Sequence, residues 1–82
     1  NHIFSYIELD EQHAIIEVAV PEDWQGRSIG ELDIRRRYGV NILGVKRENK
    51  TDVNISPETV LDADMTLLVL GENQELKKHF RL

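Results

Sequence analysis

Residues 26–57 read GRSIGELDIRRRYGVNILGVKRENKTDVNISP, and the order of signals in this stretch decides how the chain folds. Ser28 stands three residues before Glu31, the S-x-x-E capping box, so a helix is expected to begin at Ile29. Ile29 and Leu32 share a face, but Ile34 breaks the helical spacing and Asp33 is a good N-cap. The expectation is a short turn ending at Leu32, then a second short helix over residues 34–38, stopped by Gly39. Beyond it, VNILGVK at 40–46 reads as a strand. Glu48, Asn49 and Lys50 read as a polar turn, and residues 53–55 as a shorter strand closed by Pro57.

Upstream, residues 3–9 (IFSYIEL) and 14–20 (AIIEVAV) are β-branched-rich runs separated by Asp10, Glu11 and Gln12. They read as two strands joined by a tight turn, the second ended by Pro21. Downstream, residues 61–64 (LDAD) make a turn before MTLLVL at 65–70, a near-continuous apolar run expected as a central strand buried on both faces. Residues 72–80 carry acids first and Lys77, Lys78 and His79 last, an order that suits a helix dipole. The whole reads β-β-α-β-β-β-α, an α+β domain with a mainly antiparallel sheet and no internal repeat.

Composition bounds the function. The chain has 82 residues, 40% of them hydrophobic, enough for one small domain over residues 1–82 with a modest core. At this size dimerisation often supplies missing burial. It has no cysteine, which excludes disulfides and thiolate metal sites. No apolar run reaches the roughly 18 residues that direct membrane insertion needs. Because it begins at Asn1 rather than methionine, it reads as a domain excised from a longer protein. Residues 27–50 hold seven bases against three acids, a local +4 in a chain of net −5. That asymmetry argues against nucleic-acid binding and leaves room for a small anionic ligand or an acidic partner surface. On charge alone, Arg35, Arg36 and Arg37 read as a solvated helix face.

Catalytic constellations are scarce, and the chain does not read as an enzyme. His2, His13 and His79 have no metal-ligand spacing and read as surface histidines. Asp62 and Asp64 lack the further oxygen ligands of a calcium loop and read as part of a turn. The glycines form no phosphate-binding loop.

Three segments in order carry a resemblance. They are G-[RK]-S-[IL]-x-E-L-[DN]-[IL]-R at 26–35, Y-G-V-N-I-L-G-V-[KR]-R at 38–47, and S-P-x-T-V-L-x-x-D-M-x-L-L-V-x-G at 56–71. Together they resemble the C-terminal regulatory domain of RCK (regulator of K⁺ conductance) proteins, the TrkA-C type, over nearly the whole chain. The resemblance implies a cytoplasmic, non-enzymatic module that follows an N-terminal nucleotide-binding RCK domain. Such a module forms two-fold homodimers, holds no cofactor, and lies peripheral to the membrane by controlling a membrane-embedded potassium transporter or channel subunit. In Ktr-type potassium-uptake regulators the paired domains bind cyclic di-AMP at the dimer interface, which reduces transport. Their motif, carried over singly, falls on Ile29, on Asp33, Ile34 and Arg35, on Asn41 and Ile42, and on Pro57. The resemblance then implies Arg35 on phosphate, Asn41 as donor and acceptor, and the apolar residues as walls for the purines. Arg36 and Arg37 match no family role. Three alternatives stay open: Arg35 bridging Glu31, a dimerisation module without ligand, and a sensor of another nucleotide or of a cation.

Overall fold

A computed structural model describes residues 3–81. The chain runs β1 (Ile3–Glu8), β2 (His13–Ala19), a 3₁₀ turn (Glu22–Trp24), β3 (Arg27–Ser28), α1 (Ile29–Leu32), α2 (Ile34–Tyr38), β4 (Asn41–Arg47), β5 (Lys50–Asp52), β6 (Val60–Leu61), β7 (Thr66–Glu72) and α3 (Asn73–Phe80). Five strands form an antiparallel sheet in the order β1-β2-β7-β4-β5, and β3 pairs with β6 in a separate ribbon. This is the α+β class and mainly antiparallel sheet expected from the sequence, with one ribbon more.

Strand alternation sets the core. Ala14, Ile16 and Val18 on β2 and Leu67, Val69 and Gly71 on β7 are buried, while the residues between them are at most half-buried. The expectation that residues 65–70 are buried on both faces is therefore corrected. Leu68 and Leu70 lie on the second face and are only half-buried. On the first face, Leu32, Ile34, Leu76 and Phe80 from the helices close over the sheet. Each large apolar side chain fully buried this way stabilises the fold by about 1.5–3 kcal/mol. Trp24, carried in by the 3₁₀ turn, packs its ring against Tyr38 at 5.0 Å and Phe80 at 5.6 Å.

Local signals explain most boundaries. The β1–β2 hairpin closes on Asp10, whose carboxylate accepts from the Gln12 amide at 2.8 Å and meets the His13 ring at 2.9 Å. The Gln12 amide and then the His13 ring hold that carboxyl below its ordinary range. The second hairpin turns on two residues, not three. Glu48 and Asn49 take φ of 52° and 64°, the left-handed pair of a tight hairpin turn, so Lys50 already pairs with Arg47. The short strand consequently lies at Lys50–Asp52, and residues 53–55, expected as strand, are irregular.

The histidines differ in burial. His13 is half-exposed, but the side chain of His79 is only 17% exposed, against Tyr38 at 5.0 Å and Glu75 Oε1 at 3.3 Å. His79 is thus not the surface residue its isolated position suggested, because the α3 face that carries Phe80 turns it inward. His2 lies outside the described residues.

Candidate functional site

The capping box forms as expected: the Glu31 amide donates to Ser28 Oγ at 3.1 Å and the Ser28 amide to Glu31 Oε1 at 3.4 Å. Glu31 is thereby engaged at the cap and makes no bridge to Arg35. Two further amides of α1 staple the loop that follows β5. Ile29 N–H donates to the Thr59 carbonyl at 2.9 Å and Gly30 N–H to the Pro57 carbonyl at 2.8 Å. Glycine is required for that approach, since a Cβ at residue 30 would stand 2.9 Å from Pro57 Cβ. The loop holds its own shape, with the Ser56 amide on Thr59 Oγ1 at 3.0 Å and the Thr59 amide on the Ser56 carbonyl at 3.0 Å. Pro57 sits second in that turn, where its fixed φ suits the geometry.

Asp33 separates the two helices. Its backbone is left-handed (φ 50°, ψ 50°) and its side chain caps nothing; the carboxylate accepts from Arg36 Nε at 2.6 Å instead. The N-cap expected there is replaced by a sharp bend, which turns Ile34 into the core and sets Arg35 on the outside. Gly39, at φ 70°, then ends α2 and delivers the chain to β4.

The result is a cavity of about 230 Å³. Ile29 from α1, Ile34 and Arg35 from α2, Asn41 and Ile42 from β4, and Pro57 from the loop all line it. Asp33 does not line it. Val40, Ile55 and Ser56 do, although the ligand motif carried over from the family does not include them. Ile55 and Ser56 enter because residues 53–56 form a loop folded over the cavity rather than a strand in the sheet.

The three arginines are sorted by their surroundings. Arg36 is held by Asp33, and Arg37 stacks over the Tyr38 ring with its guanidinium carbon 5.5 Å from the centroid. Among the described residues, Arg35 has no side-chain partner, and neither has Asn41. An apolar cavity thus presents one free cation and one free amide. The combination can grip an anionic ligand with flat apolar parts.

Other concavities have a different character. A hollow of about 610 Å³ between β2 and the end of α3 is rimmed by Glu22 and Asp23 against Arg81. A groove of about 450 Å³ shares Asn41 with the cavity but adds Asp10 and Glu72. Both carry more acid than base and suit an anion poorly, so size alone does not identify the site. Asp62 and Asp64 are both taken by Arg47, at 2.9 and 3.2 Å, which leaves neither to a hard cation.

The TrkA-C domain model matches residues 14–82. Over 78 residues the chain is 30% identical to Ktr system potassium uptake protein C of Bacillus subtilis (strain 168), spanning 95% of this chain and 35% of that protein. The chain thus spans about a third of that relative's length. Among solved structures, the RCK C domain of potassium transport protein KtrA in complex with cyclic diadenosine monophosphate superposes with a TM-score of 0.76. The two share 32% identity over 84% of this chain and 81% of that one. The RCK_C domain dimer of S. agalactiae BusR in complex with c-di-AMP gives 0.65 at 25% identity, covering 85% and 96%. With the family model covering most of its length and the same fold in these relatives, the chain belongs to the TrkA-C domain family.

Proposed function

We propose that this domain binds cyclic di-AMP between two copies of itself and, within a longer cytoplasmic regulatory protein, lowers potassium transport through a membrane-embedded partner subunit. The observation that carries this reading is that Arg35 and Asn41 have no side-chain partner among the described residues and stand at the mouth of a mainly apolar cavity. At about 230 Å³ the cavity is smaller than the roughly 300–1,000 Å³ of pockets that enclose a whole drug-sized ligand. It suits one half of a dinucleotide. A two-fold ligand with two phosphates and two adenines matches an isologous interface in which each copy supplies one such half-site. Arg35 of each copy answers one phosphate, Asn41 adds a neutral donor and acceptor, and Ile29, Ile34, Ile42 and Pro57 face the purine. Cyclic di-AMP in the KtrA and BusR complexes supports the choice of ligand. No step requires catalysis; the ligand changes which arrangement of copies is favoured. Among the described residues no helix is long and apolar enough to cross a membrane.

Calorimetry of the chain against cyclic di-AMP, with cyclic di-GMP and ATP alongside, tests the reading. A saturable heat with one cyclic di-AMP per two chains is expected, and weaker heats for the others. No heat from cyclic di-AMP would leave a dimerisation module without ligand. Equal heats from all three would mean a nonselective anion site.

A further inference from the structure

The sheet ends differently at its two edges. At one, β5 is three residues long and carries Lys50 and Asp52, beside Lys46 and Arg47 on β4. Short, charged edges of this kind resist further pairing. At the other, β1 is six residues long and every one is exposed. It contains no lysine, arginine or proline, and Glu8 is its single charge. β1 therefore lacks most of the usual devices that keep an edge from pairing, its one irregularity falling between Ile3 and Ser5 at the start of the strand.

The phase of the ladder decides what this edge offers. In an antiparallel pair the backbone groups of successive residues point alternately to one neighbour and to the other. Leu9 N–H donates to the His13 carbonyl at 2.9 Å, and the register continues with Ile7 opposite Ile15 and Ser5 opposite Glu17. Leu9, Ile7 and Ser5 thus face β2, which leaves the N–H and C=O of Tyr6 and Glu8 pointing outward. The pairing is irregular between Ile3 and Ser5, so the regular stretch is residues 5–9, with Ile7 at its middle.

We infer that β1 is a self-association edge. Two copies pair β1 with β1 antiparallel about a two-fold axis at Ile7, and Tyr6 and Glu8 of each exchange backbone hydrogen bonds with Glu8 and Tyr6 of the other. Three observations favour a second copy as the occupant. First, Glu8 then lies opposite Tyr6 rather than the other Glu8, so no like charges face each other despite the net charge of −5. Second, Ile7 meets Ile7 as a non-hydrogen-bonded pair, the closer of the two pair types, with Leu9 alongside. Third, the exposures of Ile3 (38%), Tyr6 (49%), Ile7 (55%) and Leu9 (51%) set the strength. At roughly 200 Å² per large side chain they offer on the order of 400 Å² per copy, below the ~800 Å² per partner of a standard stable interface. The pairing is thus weak and concentration-dependent. The contact is isologous, so by itself it joins two copies, and the charged β5 edge takes no part in it. It is independent of the cavity, because β2 and β7 lie between β1 and β4.

The absence of cysteine makes the test clean. Ile7→Cys places the two sulfurs on the axis, with Cα atoms about 4.5 Å apart, within disulfide reach. Ser5→Cys on the same strand would leave them roughly 13 Å apart, beyond the ~7 Å limit. Under mild oxidation of the folded chain without nucleotide, Ile7→Cys is expected to form disulfide dimer at least about tenfold faster than Ser5→Cys. Ile7→Lys, which sets two ammonium groups on the axis, should shift sedimentation equilibrium to monomer at concentrations where the parent chain associates, whereas Arg35→Ala should not. Equal cross-linking by the two cysteine variants, or association unchanged in a folded Ile7→Lys variant, would overturn the proposal.

Discussion

Three adjacent arginines carry the same charge and meet three different surroundings. Asp33 neutralises Arg36, the Tyr38 ring takes Arg37, and Arg35, at the cavity, has no side-chain partner among the described residues. Arg36 also screens the one carboxylate that stands two residues from Arg35, so an arriving phosphate meets little opposing charge. Arg35→Ala should accordingly weaken cyclic di-AMP binding by about 1.5–3 kcal/mol for each charge-assisted hydrogen bond it removes, and both copies are affected. Arg37→Ala should do much less, because its partner is a ring of its own helix. Calorimetry of the two variants decides; equal effects would mean that general positive charge holds the ligand. Ile29, Ile34, Arg35, Asn41, Ile42 and Pro57 stood out only through the family resemblance of the segments that carry them, and the structure brings the six around one cavity. Ile55 did not stand out, since a strand over residues 53–55 would place it in the sheet, and Ser56 follows directly on it. Asp33 is deceptive in the opposite way: its residue type suits a cap, but a left-handed backbone points its carboxylate at Arg36.

At the scale of elements, the α1 cap does two jobs. It starts a helix of four residues, too short to persist by its own propensity, and it aims the Ile29 and Gly30 amides at the loop carrying Pro57. Ser28→Ala should therefore cost about 1 kcal/mol of stability and also lower affinity for cyclic di-AMP, whereas Ser28→Asp, another good N-cap, should restore both. Urea unfolding with an unchanged slope checks the first effect and calorimetry the second. Reduced stability with unaltered affinity would show that the loop needs no cap. The capping box, the stop at Gly39 and the four long strands were readable because each has a signal of several residues. The β3–β6 ribbon was not, because two-residue strands carry no period; backbone pairing between distant segments creates them. The second hairpin turns one residue earlier than its polar run suggests, since nothing in Glu48 announces a left-handed conformation.

For the whole molecule, a ligand seated between two copies links binding, association and folding. If cyclic di-AMP binds only the folded pair, it must raise the unfolding midpoint by mass action, with about 2.7 kcal/mol added at a hundredfold excess over the dissociation constant. For a chain of 82 residues each kcal/mol moves the midpoint by about 4–8 °C, so the rise should be on the order of 10–20 °C. It should grow with protein concentration, because ligand-bound pairs dissociate on unfolding. A variant carrying both Arg35→Ala and Asn41→Ala removes the polar groups of the site but none of the core, since both residues are exposed. It should fold normally and show no rise. Added salt should reduce the shift only in part: the phosphate interactions are screened over about 10 Å at 0.1 M, while packing of purine on Ile34 and Pro57 is not. Melting curves recorded across ligand and salt concentration test all of this at once. A midpoint that stays flat with cyclic di-AMP would reject the dinucleotide reading and leave a dimerisation module. A rise abolished completely by salt would instead mean that the apolar walls contribute nothing and that charge alone holds the ligand.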